Sequence, residues 1–187
     1  MTEAAQIRAA EILKRCPAWP LTGVEVGVYK GDLSQELLRL RGDLTLWMVD
    51  SWAPREKQAD AYRSTGDPHA NLSQQAQNGY RATAEAETSF AADRRHILAM
   101  DSLEAAAQAP DAAFDFVFID ADHSYEGCKA DIAAWAPKVK PFGLLSGHDY
   151  KNPHPPVAGV TQAVDEAARE MGRVLDLGEN YTWFINL

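Results

Sequence analysis

Short, nearly continuous apolar runs alternate along the chain with stretches in which apolar residues recur every three or four positions. The runs predict strands at 22–28, 44–50, 95–100, 114–120 and 142–148, and the periodic stretches predict helices near 32–41, 72–91, 102–109, 124–136 and 158–171. Such alternation specifies a parallel sheet with helices on both faces, a Rossmann-like doubly wound α/β fold. FDFVFID, residues 114–120, suits a central strand buried on both faces, with Asp120 at the carboxyl edge where such sheets bind ligands. Near the C-terminus RVLDL and YTWFINL are separated only by Gly178, Glu179 and Asn180, a hairpin spacing that makes the last strand antiparallel.

Before the first strand, MTEAAQIRAAEILKRC and the turn-rich CPAWPLTG predict an N-terminal helix and linker over 1–20. Residues 51–71 carry Pro54, Gly66 and Pro68 among charges and small residues, and are expected to form a mobile surface loop. Because this segment leaves the second strand at the ligand edge, a substrate lid is the alternative.

Composition narrows the partners. The 187 residues, 46% hydrophobic and 24% charged, are read as one domain over 1–187 whose core needs no disulfide or structural metal. A net charge of -9 without a basic cluster argues against nucleic acid. No run is apolar enough to span a membrane, and the acidic N-terminal helix does not resemble a secretion signal, so a cytoplasmic location is expected. Cys16 and Cys128 lack CxxC spacing and read as reduced packing residues. The oligomeric state is open, a homodimer included.

Candidate chemistry begins at VEVGVYKGDLSQELL, residues 24–38, where a buried strand runs through Glu25, Gly27 and Gly31 into an amphipathic helix. The glycines allow a tight turn and a close backbone approach, and the helix start offers unpaired N–H groups to a ligand. A pyrophosphate site needs G-x-G-x-x-G, and Glu25 stands at its first position. A carboxylate there repels phosphate and attracts a cation. The segment resembles motif I of the class I S-adenosylmethionine-dependent methyltransferases. That resemblance implies that Glu25 contacts the cofactor amine beside Gly27 and Gly31, and that Tyr29 lies near the sulfonium. It further implies that Asp50 holds the ribose hydroxyls and that Asp101 and Ser102 meet the adenine. Ser51 and Trp52 follow Asp50, with Trp52 either on the purine face or plugging the core under the loop. Singly, Asp50 and Asp101 are equally consistent with helix capping. Together with Glu25 and Asp120 they concentrate charge at one sheet edge, which a cationic cofactor or a metal would offset.

Residues 114–150 resemble the divalent-metal-dependent O-methyltransferases that act on catechols and caffeoyl esters. In that family an Asp ends the fourth strand, a Lys follows three residues later, and an Asp-Asn pair ends the fifth. Asp120 matches the first Asp, and His123 stands at the Lys. His148 and Asp149 stand at the pair, and an offset of one would put Asp149 on the family's Asp. The resemblance, which covers residues 21–150, implies metal ligation by Asp120, His148 and Asp149, catalysis through His123, Asp120 and Asp149, and cofactor contact by Asp120. Magnesium prefers oxygen donors, so His148 shifts the expectation towards manganese or iron. Imidazole titrates near neutrality, which suits His123 to take the proton of an acceptor hydroxyl. Phe142 departs from the glycine usual before the fifth strand.

The leading expectation is therefore an O-methyltransferase for a small hydroxylated molecule. Alternatives are a metal-independent methyltransferase with His123 as base, an amine acceptor, or a non-catalytic S-adenosylmethionine-binding protein, while Glu25 disfavours a dinucleotide oxidoreductase. The acceptor would be set by 51–71 and by YKNPHPPVAG, residues 150–159, neither of which has a readable code.

Overall fold

The computed structural model describes residues 2–154 and 157–187. Seven strands form one sheet: β1 (Leu21–Val26), β2 (Leu44–Val49), β3 (Arg95–Leu98), β4 (Phe114–Ile119), β5 (Val139–Gly147), β6 (Leu175–Leu177) and β7 (Trp183–Asn186). Their order is β3-β2-β1-β4-β5-β7-β6. The pairs β1–β2, β1–β4, β2–β3 and β4–β5 are parallel, whereas β7 is antiparallel to both neighbours, as the C-terminal hairpin spacing predicts.

All six residues of β4 are buried, and its two-residue period feeds two cores. Phe116 and Phe118 pack with Leu44, Leu46 and Met48 against α1 (Glu3–Leu13), α2 (Asp32–Leu40) and α4 (Gln74–Glu87), through Ile12, Leu37 and Ala84. Val117 and Ile119 pack on the other face against α5 (Ser102–Gln108), α6 (Tyr125–Trp135) and α7 (Ala158–Glu170), through Ala105, Ile132 and Val164. Asp115 interrupts the apolar run without leaving a buried charge unpaired, since its Oδ2 accepts from Thr22 N at 2.8 Å and Lys140 Nζ at 2.9 Å.

Two expectations change. Residues 51–71 carry local structure in place of an irregular loop: turns of 3₁₀ helix at Arg55–Lys57 and His69–Asn71 flank the short α3 (Asp60–Ser64), and Tyr62 and Asp67 are buried. The fifth strand starts at Val139, three residues earlier than expected, because Val139 pairs with Phe114 before a bulge restores register at Leu144 opposite Phe116. Of the segment 150–159, Pro155 and Pro156 lie outside the described residues. Among the described residues no helix is long and apolar enough to cross a membrane.

The bulge explains the Phe142 departure. Phe142 has φ 66° and a ring 94% exposed, while its N–H donates to Leu187 O at 2.9 Å. The backbone thus takes the left-handed conformation that favours glycine, and the side chain gains little packing in return. Phe142→Gly is expected to stabilise the protein by about 0.5–1 kcal/mol in urea unfolding. A destabilised variant would mean that the exposed ring contributes more than the backbone strain costs.

Candidate active site

The carboxyl edge of the parallel strands is built from residues in unusual backbone conformations. Gly27 follows β1 with φ 92° and donates its N–H to Val49 O at 2.8 Å. A Cβ there would run into the Asp120 carbonyl, so only glycine lets the ends of β1 and β4 meet. Tyr29 and Trp52 have φ of 53° and 41°, and Asp50 holds both. Its Oδ2 accepts from Tyr29 N at 2.8 Å and its Oδ1 from Trp52 N at 2.7 Å, while Trp52 Nε1 donates to Tyr29 O at 2.9 Å. Burial raises the Asp50 pKa against these backbone hydrogen bonds.

A cavity of about 920 Å³ opens over this edge. Its wall includes Gly27, Tyr29, Asp50, Ser51, Asp101, Ser102 and Asp120, and Lys57, Tyr62 and His69 from the 51–71 segment cover it. Asp101 caps α5, its Oδ1 accepting from Leu103 N at 2.8 Å and Glu104 N at 3.4 Å. Ser102 Oγ accepts from Trp135 Nε1 at 2.9 Å. Trp52 also borders the cavity, and its residue is 3% exposed and packs with Val28, Leu33 and Ala84.

Two expected cofactor residues stand behind the wall. Gly31, at φ 81°, starts α2 and presses on Ala84 of α4, where a Cβ would come within 3.0 Å of the Ala84 Cα. Glu25 is 3% exposed and accepts a hydrogen bond from Ser34 Oγ. Burial is the largest influence on its carboxyl and, with Asp120 adding repulsion and Ser34 opposing, pushes it up to about 8.

Beside the cavity, the residues that end β4 and β5 converge. Asp120 Oδ1 lies 3.3 Å from His123 Nε2 and 3.6 Å from His148 Nδ1, and its Oδ2 accepts from Arg8 Nη1 of α1 at 2.7 Å. Asp149, at φ 65°, puts Oδ2 3.0 Å from His123 Nε2 and Oδ1 3.0 Å from His148 Nδ1. His148 Nε2 faces Asn180 Oδ1 at 3.2 Å, and His123 Nδ1 faces Asp67 Oδ2 at 2.6 Å. Burial works against charging the two rings, but the carboxylates outweigh it and raise His123 to about 10 and His148 to about 9. Asp120 is held well below the usual carboxylate range by His148, His123 and Arg8 in spite of its burial.

The geometry bears on two sequence expectations. His123 lies among three carboxylates, which favour its charged form over the neutral imidazole expected of a base. The donors whose ligand atoms all lie within 4.8 Å of one another are Asp120, His123 and Asp149, and His148, expected as a ligand, faces the same two carboxylates through Nδ1 at 3.6 Å and 3.0 Å. Two oxygens and one imidazole nitrogen form a donor set that suits manganese or iron. Arg8 and Asp67 were missed: they stand 112 and 56 residues from their partners, and no local spacing links them.

Residues 24–150 match a family described as "Methyltransferase domain". The match spans more than half of the chain, and the protein belongs to that methyltransferase family. It is a methyltransferase whose methyl donor is S-adenosylmethionine. Solved structures share its fold. The calicheamicin methyltransferase CalS11 superposes with a TM-score of 0.72 at 17% identity, over 97% of this chain and 77% of that one. The O-methyltransferase NovP gives 0.64 at 20% identity, over 98% and 77%. A SAM-dependent methyltransferase from Aquifex aeolicus gives 0.61 at 15% identity, over 97% and 89%. No curated protein matches the chain.

Glu25 yields a stability test. Its folded pKa of about 8 lies above the ordinary glutamate value of 4.5, so the folded state binds the extra proton between these limits. The favourable contribution is present below about pH 4.5 and is lost as pH rises towards 8. Glu25→Gln, which keeps a partner for Ser34, is expected to remove a fall on the order of a few kcal/mol over that range. Denaturant titrations at a series of pH values measure it. An unchanged pH profile would mean that Glu25 ionises normally in the folded protein.

Proposed function

We propose that the protein transfers the methyl group of S-adenosylmethionine to a hydroxyl of a small molecule, with a divalent cation bound by Asp120, His123 and Asp149. The observation that carries this reading is the convergence of those three donors within 4.8 Å beside a cavity whose wall includes Gly27, Asp50 and Asp101. Two solved proteins of the same fold support the acceptor class: NovP is an O-methyltransferase, and CalS11 is a TDP-rhamnose 3'-O-methyltransferase. We further assign the chain to the cytoplasm and to action as one domain.

In this reading Asp50 offers its remaining lone pairs to the ribose, and Asp101 and Ser102 border the adenine. Tyr29 borders the sulfonium, while Glu25 stands behind the wall, where its carboxyl, uncharged below about pH 8 and hydrogen-bonded by Ser34, backs the turn that receives the cofactor amine. S-adenosylmethionine supplies, when bound, an electrophilic methyl group on a positively charged sulfur. Methyl transfer would form the bond from the acceptor oxygen to the methyl carbon as the carbon–sulfur bond breaks with its electron pair left on sulfur, and the hydroxyl proton would pass to water in the cavity. The chain's contribution is alignment within the cavity and a local charge that favours loss of that proton.

A divalent cation supplies Lewis acidity that lowers the pKa of the acceptor hydroxyl. The residues present fit one. Two carboxylates and an imidazole nitrogen converge there, and the positive charge of a divalent ion suits a cluster bounded by Asp67, Asp120 and Asp149.

The test is turnover of labelled S-adenosylmethionine against phenols, sugars and amines, with manganese or with chelator. Hydroxylated acceptors are expected to be methylated, and chelator or Asp149→Ala to lower kcat on the order of 10²-fold or more. Activity that survives chelator but falls by about 10²–10⁴-fold in His123→Ala would replace the cation with a histidine base. Retained activity in a variant lacking both His123 and Asp149 would remove the cluster from the mechanism.

Cofactor placement has a separate check. Asp50→Asn, which leaves one acceptor for the backbone, is expected to weaken S-adenosylhomocysteine binding by about 1.5–3 kcal/mol in calorimetry. Unchanged affinity would reduce Asp50 to a clasp between Tyr29 and Trp52.

A further inference from the structure

His123 has two ring nitrogens, and only Nε2 faces Asp120 and Asp149. The other, Nδ1, points at Asp67 Oδ2 across 2.6 Å. Asp67 belongs to the 51–71 segment, and its side chain is 5% exposed. Its orientation is fixed before it meets the ring: Oδ1 accepts from His69 N at 2.8 Å, and Tyr62 donates its hydroxyl to Oδ2 at 3.2 Å. The turn around it is pinned as well, since Asp67 N donates to Thr65 Oγ1 at 3.1 Å and Asn71 Nδ2 donates to Asp67 O at 2.9 Å. The Tyr62 ring stands edge-on to the imidazole with centroids 6.1 Å apart.

The same contact matters to the segment. Trp52 and Pro54 are buried where the segment begins, but from residue 55 to residue 71 only Tyr62, Asp67 and Ala70 are, so little apolar surface holds these helical turns over the cavity. A buried carboxylate is costly unless paired, and the Asp67–His123 contact ties these turns to the loop that follows β4.

Resting on the methyl-transfer reading of the Asp120–His123–Asp149 cluster, we propose that Asp67 is the positioning residue of His123 and the latch of the 51–71 segment. Closure brings the Asp67 carboxylate to Nδ1 and thereby aims Nε2 at Asp120 and Asp149. Opening frees the ring and the cavity together. An outer carboxylate that orients a functional imidazole by its far nitrogen is a general device in both metal-held and metal-free sites. Here it comes from the cover of the cavity, so access and ring orientation are set by one contact.

Trypsin reads the latch without any turnover, because Arg55, Lys57 and Arg63 all lie in the segment. The full-length parent, Asp67→Ala, Asp67→Asn, His123→Ala and the Asp67→Ala/His123→Ala double variant are compared under native conditions, after circular dichroism has verified that each is folded. Cleavage at these sites is expected to be roughly tenfold or more faster in either alanine variant, with no further gain in the double variant. Asp67→Asn, which keeps an acceptor for Nδ1–H, is expected to fall between. In turnover, Asp67→Ala is expected to lose about 10–100-fold in kcat in the parent and nothing further in the His123→Ala background. Cleavage at the parental rate, or effects of the two residues that multiply in the double variant, would overturn the latch. Because proteolysis needs no substrate, that result in a protein that still methylates hydroxyls would leave the proposed function standing. A latch that behaves as expected in a protein without such activity would leave the latch standing alone.

Discussion

Negative charge gathered at one edge of the sheet is the constraint on which the rest of this structure depends. In the order β3, β2, β1, β4, β5, neighbouring strands carry Asp101, Asp50, Glu25, Asp120 and Asp149 at or near their carboxyl ends. Each is neutralised differently. Burial keeps the Glu25 carboxyl protonated towards pH 8, backbone N–H groups hold Asp50, and Asp101 caps a helix. Asp120 and Asp149 take the remaining route, pairing with Arg8, His123 and His148. The acids that rely on side-chain cations rather than on backbone dipoles are thus those on the side of the cavity where the proposed chemistry lies.

Backbone geometry brings them there. Tyr29, Trp52 and Asp149 all adopt positive φ at strand ends, a conformation that costs energy for a side-chain-bearing residue and persists where the surroundings enforce it. Asp50 enforces two of the three through its hydrogen bonds to Tyr29 and Trp52. Gly27 is what lets β1 and β4 end side by side, so that Asp120 stands next to the turn of motif I. Fold and site are therefore coupled through a few atoms at the ends of adjacent strands.

Much of this was legible in the sequence because it rests on local patterns. Alternating apolar runs and periodic stretches located the five parallel strands, and three turn residues between RVLDL and YTWFINL marked the antiparallel end. Strand-end acids followed directly from where those runs stop. The sequence could not show which glycine meets a ligand: Gly31 is spent on Ala84, a contact across two helices. Nor did it reveal Arg8 or Asp67, since an ion pair spanning 112 or 56 residues has no periodicity. The segment 51–71 looked irregular because its turns are only three to five residues long, too short for an apolar face to repeat. That Asp67 and Asp149 stand beside His123 is a tertiary fact that no local spacing announces.

The most direct measurement is a crystal structure of the protein grown with S-adenosylhomocysteine and manganese, with anomalous scattering recorded at the manganese edge. The ribose is expected against Asp50, the cofactor sulfur on the Asp120 side of the cavity, and a manganese peak between Asp120, His123 and Asp149. A cofactor seated away from Asp50, or manganese held elsewhere while those three residues keep their ion pairs, would contradict the account.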